Sequence, residues 1–353
     1  MILTEFGALI TAWYFKNKRD LPWRNTQNPY IIWISEIILQ QTRIDQGMAY
    51  FHKFVNAYPR ITDLANASED EILKLWQGLG YYSRARNLHA TAKFITNQYK
   101  GIFPKEYQDI LKLKGIGEYT AAAIASFAFN KPHAVVDGNV YRLLSRYFGI
   151  DTPIDSTQGK KQFKKLADQL LDTKSSGIYN QAIMEFGALQ CKPANPKCDS
   201  CPLQNTCYAF ANNEIGILPV KSKKLKTIDR YFNYFHIHNN KQIVLNKRLD
   251  NDIWKGLYDF PLIETSSSVK LTQLMKLPEW KTLFKEYPLL VRSVSKEYIH
   301  KLSHQTIHSV FIDLDISKIK EIKSESFLLI TKSSFNKYAI PRLLDIYLSA
   351  KES

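Results

Sequence analysis

The sequence predicts a multidomain chain: a mainly α-helical N-terminal region closed by a cysteine loop, followed by a smaller α+β domain. Three observations predict it. Apolar residues recur at helical spacing through most of the first 190 positions, all four cysteines fall between 191 and 207, and aromatic and β-branched strand-like runs begin only near 228. With 353 residues, 45% of them hydrophobic and 13% aromatic, the chain can bury two cores, and wholesale disorder is excluded.

Taken in order, segments 5–17, 29–41, 43–57, 69–77, 81–98, 105–113, 118–129, 139–148, 158–171 and 178–188 read as helices joined by short turns. Asn28 can cap the second of these, and Pro29 suits its first turn. After the cysteines, ANNEIGILPVKSKKLKT is polar, then lysine-rich, and contains Pro219, so it reads as a linker. Beyond it RYFNYFHIH, QIVLNKR and HSVFIDLDI read as strands, with a turn at Asn239-Asn240. Stretches 268–276 and 339–350 read as helices. The expected boundaries are 1–210 for the helical domain, 211–227 for the linker and 228–353 for the second domain.

Lys and Arg number 48 against 33 Asp and Glu, a net charge of +15 that favours a polyanionic partner. No run of 18 apolar residues occurs, so no membrane partner is expected. The N-terminal MILTEFGALITAWYF lacks the basic lead and small-residue cleavage site of a secretion signal, and Glu5 interrupts it. A cytoplasmic monomer is the expectation.

The cysteines, Cys191, Cys198, Cys201 and Cys207, are spaced C-x6-C-x2-C-x5-C. Two disulfides are arithmetically possible but disfavoured in a reducing compartment. A tetrahedral zinc site is the simpler alternative, although zinc ribbons usually carry two C-x2-C pairs. A single such pair inside longer loops suits thiolates that wrap a larger iron–sulfur cluster at its corners. Spacing alone favours the cluster and leaves zinc open.

Glu36 is the only charged residue between Arg24 and Arg43, set among Trp33, Ile34, Ile37 and Ile38. An acid in apolar company loses hydration, its pKa rises, and it can keep a proton near neutrality, as a general acid must. The ordinary alternative is a glutamate on an exposed helical stripe. Asp137, in HAVVDGNVYRLL, reads either as a helix cap or as a fixed carboxylate facing positive charge in a transition state. In LKGIGEYTAAAIASFAF, Gly115 and Gly117 precede a helix, which resembles the hairpin of a helix–hairpin–helix motif spanning about 106–129. Such glycines let the backbone turn tightly and present amides to a phosphate, or they simply join two packed helices. Gln40, Gln41 and Thr42 end the glutamate helix, and Gly78, Gly80, Tyr81 and Tyr82 precede Arg84 and Arg86. Residues of this kind at loop tips can wedge into a base stack or serve ordinary packing.

Together LPWR (21–24), WISEIILQQTR (33–43), GLGYYSRARNLH (78–89), LKGIGEYTAAAI (113–124), VVDGNVYR (135–142), NQAIMEFGALQC (180–191) and the four-cysteine loop resemble the MutY-type adenine DNA glycosylases of the endonuclease III superfamily. The pieces come in family order over nearly all of the first 207 residues. The resemblance implies a helix–hairpin–helix glycosylase core with a [4Fe–4S] cluster on the four cysteines, joined to a Nudix-like 8-oxoguanine recognition domain. It implies a bacterial, nucleoid-associated enzyme of base excision repair. Its substrate would be double-stranded DNA with adenine mispaired with 8-oxoguanine or, more weakly, guanine, and the adenine must leave the stack to be reached.

Carried over by position, Glu36 protonates adenine N7 and Asp137 stabilises the oxocarbenium-like sugar, a division of labour shared with two-carboxylate glycosidases. Tyr119 packs beside the sugar and Asn139 orients the site. Arg19, Trp23, Arg24 and Gln181 line the adenine pocket; Gln41 and Tyr81 form the wedge, with Leu39 and Thr42 alongside. Relatives that cut the strand carry lysine where this chain has Tyr119, so a monofunctional enzyme is implied. NDIWKGLYDFP (251–261) matches the Nudix-like domain, but Glu264 and Glu279 make no glutamate box, so nucleotide hydrolysis is not expected. In KLSHQTIH (301–308), Ser303 and His304 match the 8-oxoguanine-reading loop and Leu302 replaces its phenylalanine. Two other readings stay open: another mismatch glycosylase of the endonuclease III type, and a non-catalytic damage-binding protein.

Overall fold

The structure, a computed structural model, describes residues 2–222, 227–284, 290–315 and 325–352. Residues 223–226 of the expected linker and Ile316 at the end of an expected strand lie outside the described residues. Two compact units emerge: Met1–Asn66 with Asn87–Lys223, and Ala67–Arg86 with Lys224–Ser353. Among the described residues no helix is long and apolar enough to cross a membrane.

The helices run α1 (Ile2–Asn17), α2 (Pro29–Leu39), α3 (Ile44–Ala57), α4 (Ile61–Asn66), α5 (Glu69–Trp76), α6 (Ser83–Tyr99), α7 (Tyr107–Leu111), α8 (Glu118–Phe129), α9 (Gly138–Phe148), α10 (Thr157–Leu170), α11 (Ser176–Leu189) and α12 (Tyr208–Ala211). α5 and the first residues of α6 belong to the second unit, the rest to the first. α4 was not expected; six residues are too few to display a period. Phe6 and Ile10 of α1, Leu144 of α9, Phe163 of α10 and Phe186 of α11 form one buried cluster in the first unit. Truncating a wholly buried ring such as Phe186 to alanine costs about 3–5 kcal/mol.

α2 starts where Asn28 Oδ1 accepts the Tyr30 amide at 3.0 Å, and every residue from Ile32 to Ile38 is buried. Burial on all sides makes it a central helix rather than an amphipathic one. It ends after Leu39, where Gln40 leaves the helical region at ψ 116° and Gln41 is left-handed at φ 59°. Between α7 and α8, Gly115 has φ +78°, and a Cβ there would stand 2.6 Å from Asn87 Cβ. Only glycine fits. Gly117 differs from expectation: its φ of −96° is open to any residue, and no described protein atom lies within 4 Å of where its Cβ would be. Its missing side chain therefore clears the head of α8 without relieving any strain.

In the second unit, β1 (Ile228–His238), β2 (Gln242–Lys247), β3 (Tyr258–Asp259), β4 (Leu262–Thr265), β5 (Leu290–Val294), β6 (Tyr298–Lys301), β7 (Gln305–Asp315) and β8 (Phe327–Thr331) form one sheet. Its order is β3-β2-β1-β7-β5, with β4 on β1, β6 on β7 and β8 on β2. β1 and β7 run parallel from Ile228↔Gln305 to His238↔Asp315, and the remaining pairs are antiparallel. Asn239 makes the expected turn, its Oδ1 accepting the amides of Lys241 and Gln242. α15 (Arg342–Glu352) packs with Phe232, Tyr234 and Phe311 on one side, while α14 (Pro278–Phe284) joins Phe235, Ile237 and Ile312 in a second cluster. The helix expected at 268–276 shrinks to α13 (Leu271–Leu274), because Pro278 opens a new helix shortly after it.

Segment 67–86, which the expected boundaries left with the helical region, makes several bonds inside the second unit. Asp70 accepts Lys247 Nζ at 2.9 Å and the Tyr258 hydroxyl at 2.9 Å, and Arg86 donates to the Lys255 carbonyl at 2.6 Å.

Candidate active site and cysteine loop

Glu36 sits near the C-terminal end of α2 and is 8% exposed. Burial pushes its carboxyl up to about 7; a hydrogen bond with Tyr119 pulls the other way, Asp137 adds to the rise, and Arg24 opposes it. Tyr119, on the first turn of α8, has its phenol held far above the usual range by burial and lies 3.8 Å from Met184 Sδ. Asp137 caps α9, accepting the amides of Asn139 at 2.9 Å and Val140 at 2.8 Å, and Asn139 Nδ2 at 2.7 Å. Burial raises the Asp137 carboxyl despite those bonds and the opposing charge of Arg142. Three elements thus bring Glu36, Tyr119, Asp137 and Asn139 together. One acid is poised to carry a proton at neutral pH, and the other is fixed in place by donors to its charged form.

Arg19 and Arg24 converge on a residue that the sequence reading passed over. Glu185 of α11, 1% exposed, accepts Arg19 through Nε at 2.9 Å and Nη2 at 2.6 Å, and Arg24 through Nη2 at 2.7 Å. Burial would raise this carboxyl, but the bonds from Arg19 and then Arg24 hold it at about 2. Glu185 is the only charged residue in SGIYNQAIMEFGALQ, the same signal that singled out Glu36. Trp23 is buried with its ring edge-on to Phe51 at 5.0 Å, and Gln181 accepts the Tyr14 hydroxyl at 2.7 Å.

The cysteine loop is tied to α9 by two buried arginines that were also not anticipated. Arg142 donates to the carbonyls of Cys191 at 2.7 Å and Gly187 at 2.6 Å, and to Asn139 Oδ1 at 2.9 Å. Arg146 donates to the carbonyls of Lys192, Pro193 and Leu218, with Nη1 3.5 Å from Cys191 Sγ. Cys191, Cys198, Cys201 and Cys207 are unpaired and line one recess, about 390 Å³ of empty space partly open to solvent, with Phe186 and Leu203. Burial pushes the Cys201 thiol up to about 11; the Leu203 amide opposes this, and the other three cysteines add to it. Four ionised sulfurs here repel one another, so the donor set fits a cationic centre. Among the described residues, the group compact enough for one ion is His236, His238 and Asp313, with ligand atoms within 4.8 Å, and Lys351 already pairs with Asp313.

At the loop tips, Gln41 is exposed, Leu39 and Thr42 are half-buried, and Gln40 Nε2 donates to Thr120 Oγ1 at 3.2 Å. Tyr81 is left-handed at φ 48° and 49% exposed, with its hydroxyl 2.5 Å from Ser303 Oγ. Two residues expected at the substrate from distant parts of the chain therefore meet. His304 is exposed, while Leu302 packs against the second unit's core.

A family model for HhH-GPD superfamily base excision DNA repair proteins matches residues 34–169, and one for the NUDIX domain matches 233–350. The chain is 38% identical over 321 residues to an adenine DNA glycosylase of Buchnera aphidicola subsp. Baizongia pistaciae, covering 90% of this chain and 88% of that one. It is 40% identical over 216 residues to the adenine DNA glycosylase of Homo sapiens, covering 59% of this chain and 40% of that one. Among solved structures, a thermostable thymine-DNA glycosylase matches with TM-score 0.56 and 32% identity over 60% of this chain and 97% of that one. A non-covalent endonuclease III–DNA complex matches with TM-score 0.52 and 20% identity over 60% of this chain and 98% of that one, a likeness of fold.

Proposed function

The chain belongs to the adenine DNA glycosylase family, and we propose that it excises adenine opposite 8-oxoguanine or guanine, with Glu36 as general acid and Asp137 as the carboxylate that steadies the sugar cation. Its reaction is the hydrolysis of an N-glycosidic bond in DNA during base excision repair. The observation that carries the residue assignment is the pairing of Glu36, its proton retained to about 7 by burial, with a second carboxylate held by Asn139 and Val140.

The flipped adenine enters beside Glu36, which protonates N7 and turns the base into a neutral leaving group. Positive charge then builds on the sugar, and the fixed Asp137 carboxylate stabilises it before water adds. Tyr119 packs against the sugar; having no amine, it forms no Schiff base, so base release proceeds without strand cutting. Asn139 holds Asp137, while Arg19, Trp23, Arg24 and Gln181 shape the pocket. Gln41 and Tyr81, with Leu39 and Thr42 beside the glutamine, wedge into the stack. Ser303 and His304 read the base opposite, and the backbone around Gly115 and Gly117 holds a phosphate.

Cys191, Cys198, Cys201 and Cys207 hold a [4Fe–4S] cluster in this reading. When bound, it supplies iron–thiolate links that close the loop around Arg146. A yellow-brown pure protein agrees with this; a colourless protein containing zinc contradicts it. The deciding assay follows free adenine release from duplexes with 8-oxoguanine, guanine, cytosine or thymine opposite adenine. Release confined to the first two supports the mispair assignment, and equal release from all four overturns it.

A further inference from the structure

Both pocket arginines are held by one carboxylate that no role in the reaction yet explains. Glu185 takes Arg19 in a two-pronged grip and Arg24 through its second oxygen. The Arg19 amide also donates to it at 3.0 Å. It is 1% exposed, so it cannot exchange these partners for water. Arg24 is in turn the cation whose charge opposes proton retention on Glu36.

We propose that Glu185 is a positioning residue for base excision: it pins Arg19 and Arg24 at the pocket wall and cancels part of their charge, so that Glu36 keeps the proton it delivers. The inference rests on the reading of Glu36 as the acid. Two guanidiniums and one carboxylate leave one net positive charge, and without Glu185 there would be two. Added positive charge favours the ionised carboxylate, so Glu36 would lose its proton at lower pH. The other groups facing Glu36 are Tyr119 from α8 and Asp137 from the head of α9; α3, packed on α2, brings Asp45 to the Arg19 side, and Arg142 bears on Asp137. None of these replaces the charge removed at 185.

The test is single-turnover adenine release, at saturating enzyme, across the pH range. Glu185→Gln keeps the size and one acceptor but removes the charge. It should move the alkaline limb of the profile down by roughly one pH unit and leave the rate on the acid side within about threefold. Arg19→Gln removes a cation instead and should move the same limb upward. Opposite shifts are what a purely structural role would not produce. A limb unmoved in Glu185→Gln, or moved the same way in both variants, overturns the proposal. If Glu185→Gln does not fold, Arg19→Gln and Arg24→Gln decide alone: each must shift the limb upward, and no shift overturns it. Glu36→Gln separates the two readings. Should that variant still release adenine normally, the acid assignment itself falls; should it be inactive while the 185 limb stays put, only this inference falls.

Discussion

Two buried acids, one in each unit, carry raised proton affinities for the same first reason and face different neighbours. Asp259, wholly buried in the second unit, is pushed up to about 6 by burial, and Glu36 in the first to about 7. Asp259 meets a full counter-charge from Arg248 at 2.9 Å, with Asn246 at 2.8 Å and Tyr234 at 3.4 Å completing its bonds. Glu36 has a neutral phenol for a partner and another acid, Asp137, nearby. Desolvation alone does not mark a catalytic group. What separates the two is compensation: Asp259 is paired with a cation, and the poorly compensated Glu36 is the one suited to hold an exchangeable proton.

The contrast can be broken at several points. The largest effect should come from Glu36→Gln, which is expected to cut single-turnover adenine release by about 10²–10⁴-fold while mispair binding persists in a fluorescence titration. Asp259→Asn should leave the rate within about twofold; a comparable loss there would erase the distinction. Asp259→Ala leaves Arg248 buried without its main partner and should destabilise the protein by about 3–5 kcal/mol in denaturant unfolding. Glu36→Gln should do the reverse. Its folded carboxyl lies near 7 against an ordinary value of 4.5, so the native state is penalised as pH rises through that window. The penalty, about 3 kcal/mol, is absent below 4.5 and complete above about 7, so the variant should melt later than wild type at alkaline pH and alike in acid. The same titration makes wild-type activity fall as pH climbs past about 7. Smallest is Ser303→Ala, which removes the hydroxyl next to Tyr81 and should cost about 0.5–1.5 kcal/mol of preference for 8-oxoguanine over guanine, read by competition binding.

Much of the first unit was legible because its signals are local. Asn28-Pro29 opens α2 as its composition demands, Asp137 caps α9, and Glu36 stands out as a lone charge in an apolar run. Glu185 sent the same local signal, but its meaning depends on Arg19, 166 residues away in the chain, and no spacing rule reaches that far. Arg142 and Arg146 escaped notice for a related reason: each faces backbone carbonyls, which leave no trace in side-chain pattern. In the second unit the long strands β1, β2 and β7 were visible. β3 has two residues, and β5 is largely exposed, so neither shows the alternation by which a strand is read.

α2 joins two environments on one short piece of backbone. Its middle is dry on every side, yet Gln41, five residues after Glu36, stands in water. The Gln40–Thr120 hydrogen bond bolts that wet end to α8, the helix that carries Tyr119. A rod gripped this tightly along its length bends little, so a push at the glutamine tip is passed along it as displacement. Whatever seats itself against the outer end therefore bears on where the buried Glu36 carboxyl rests.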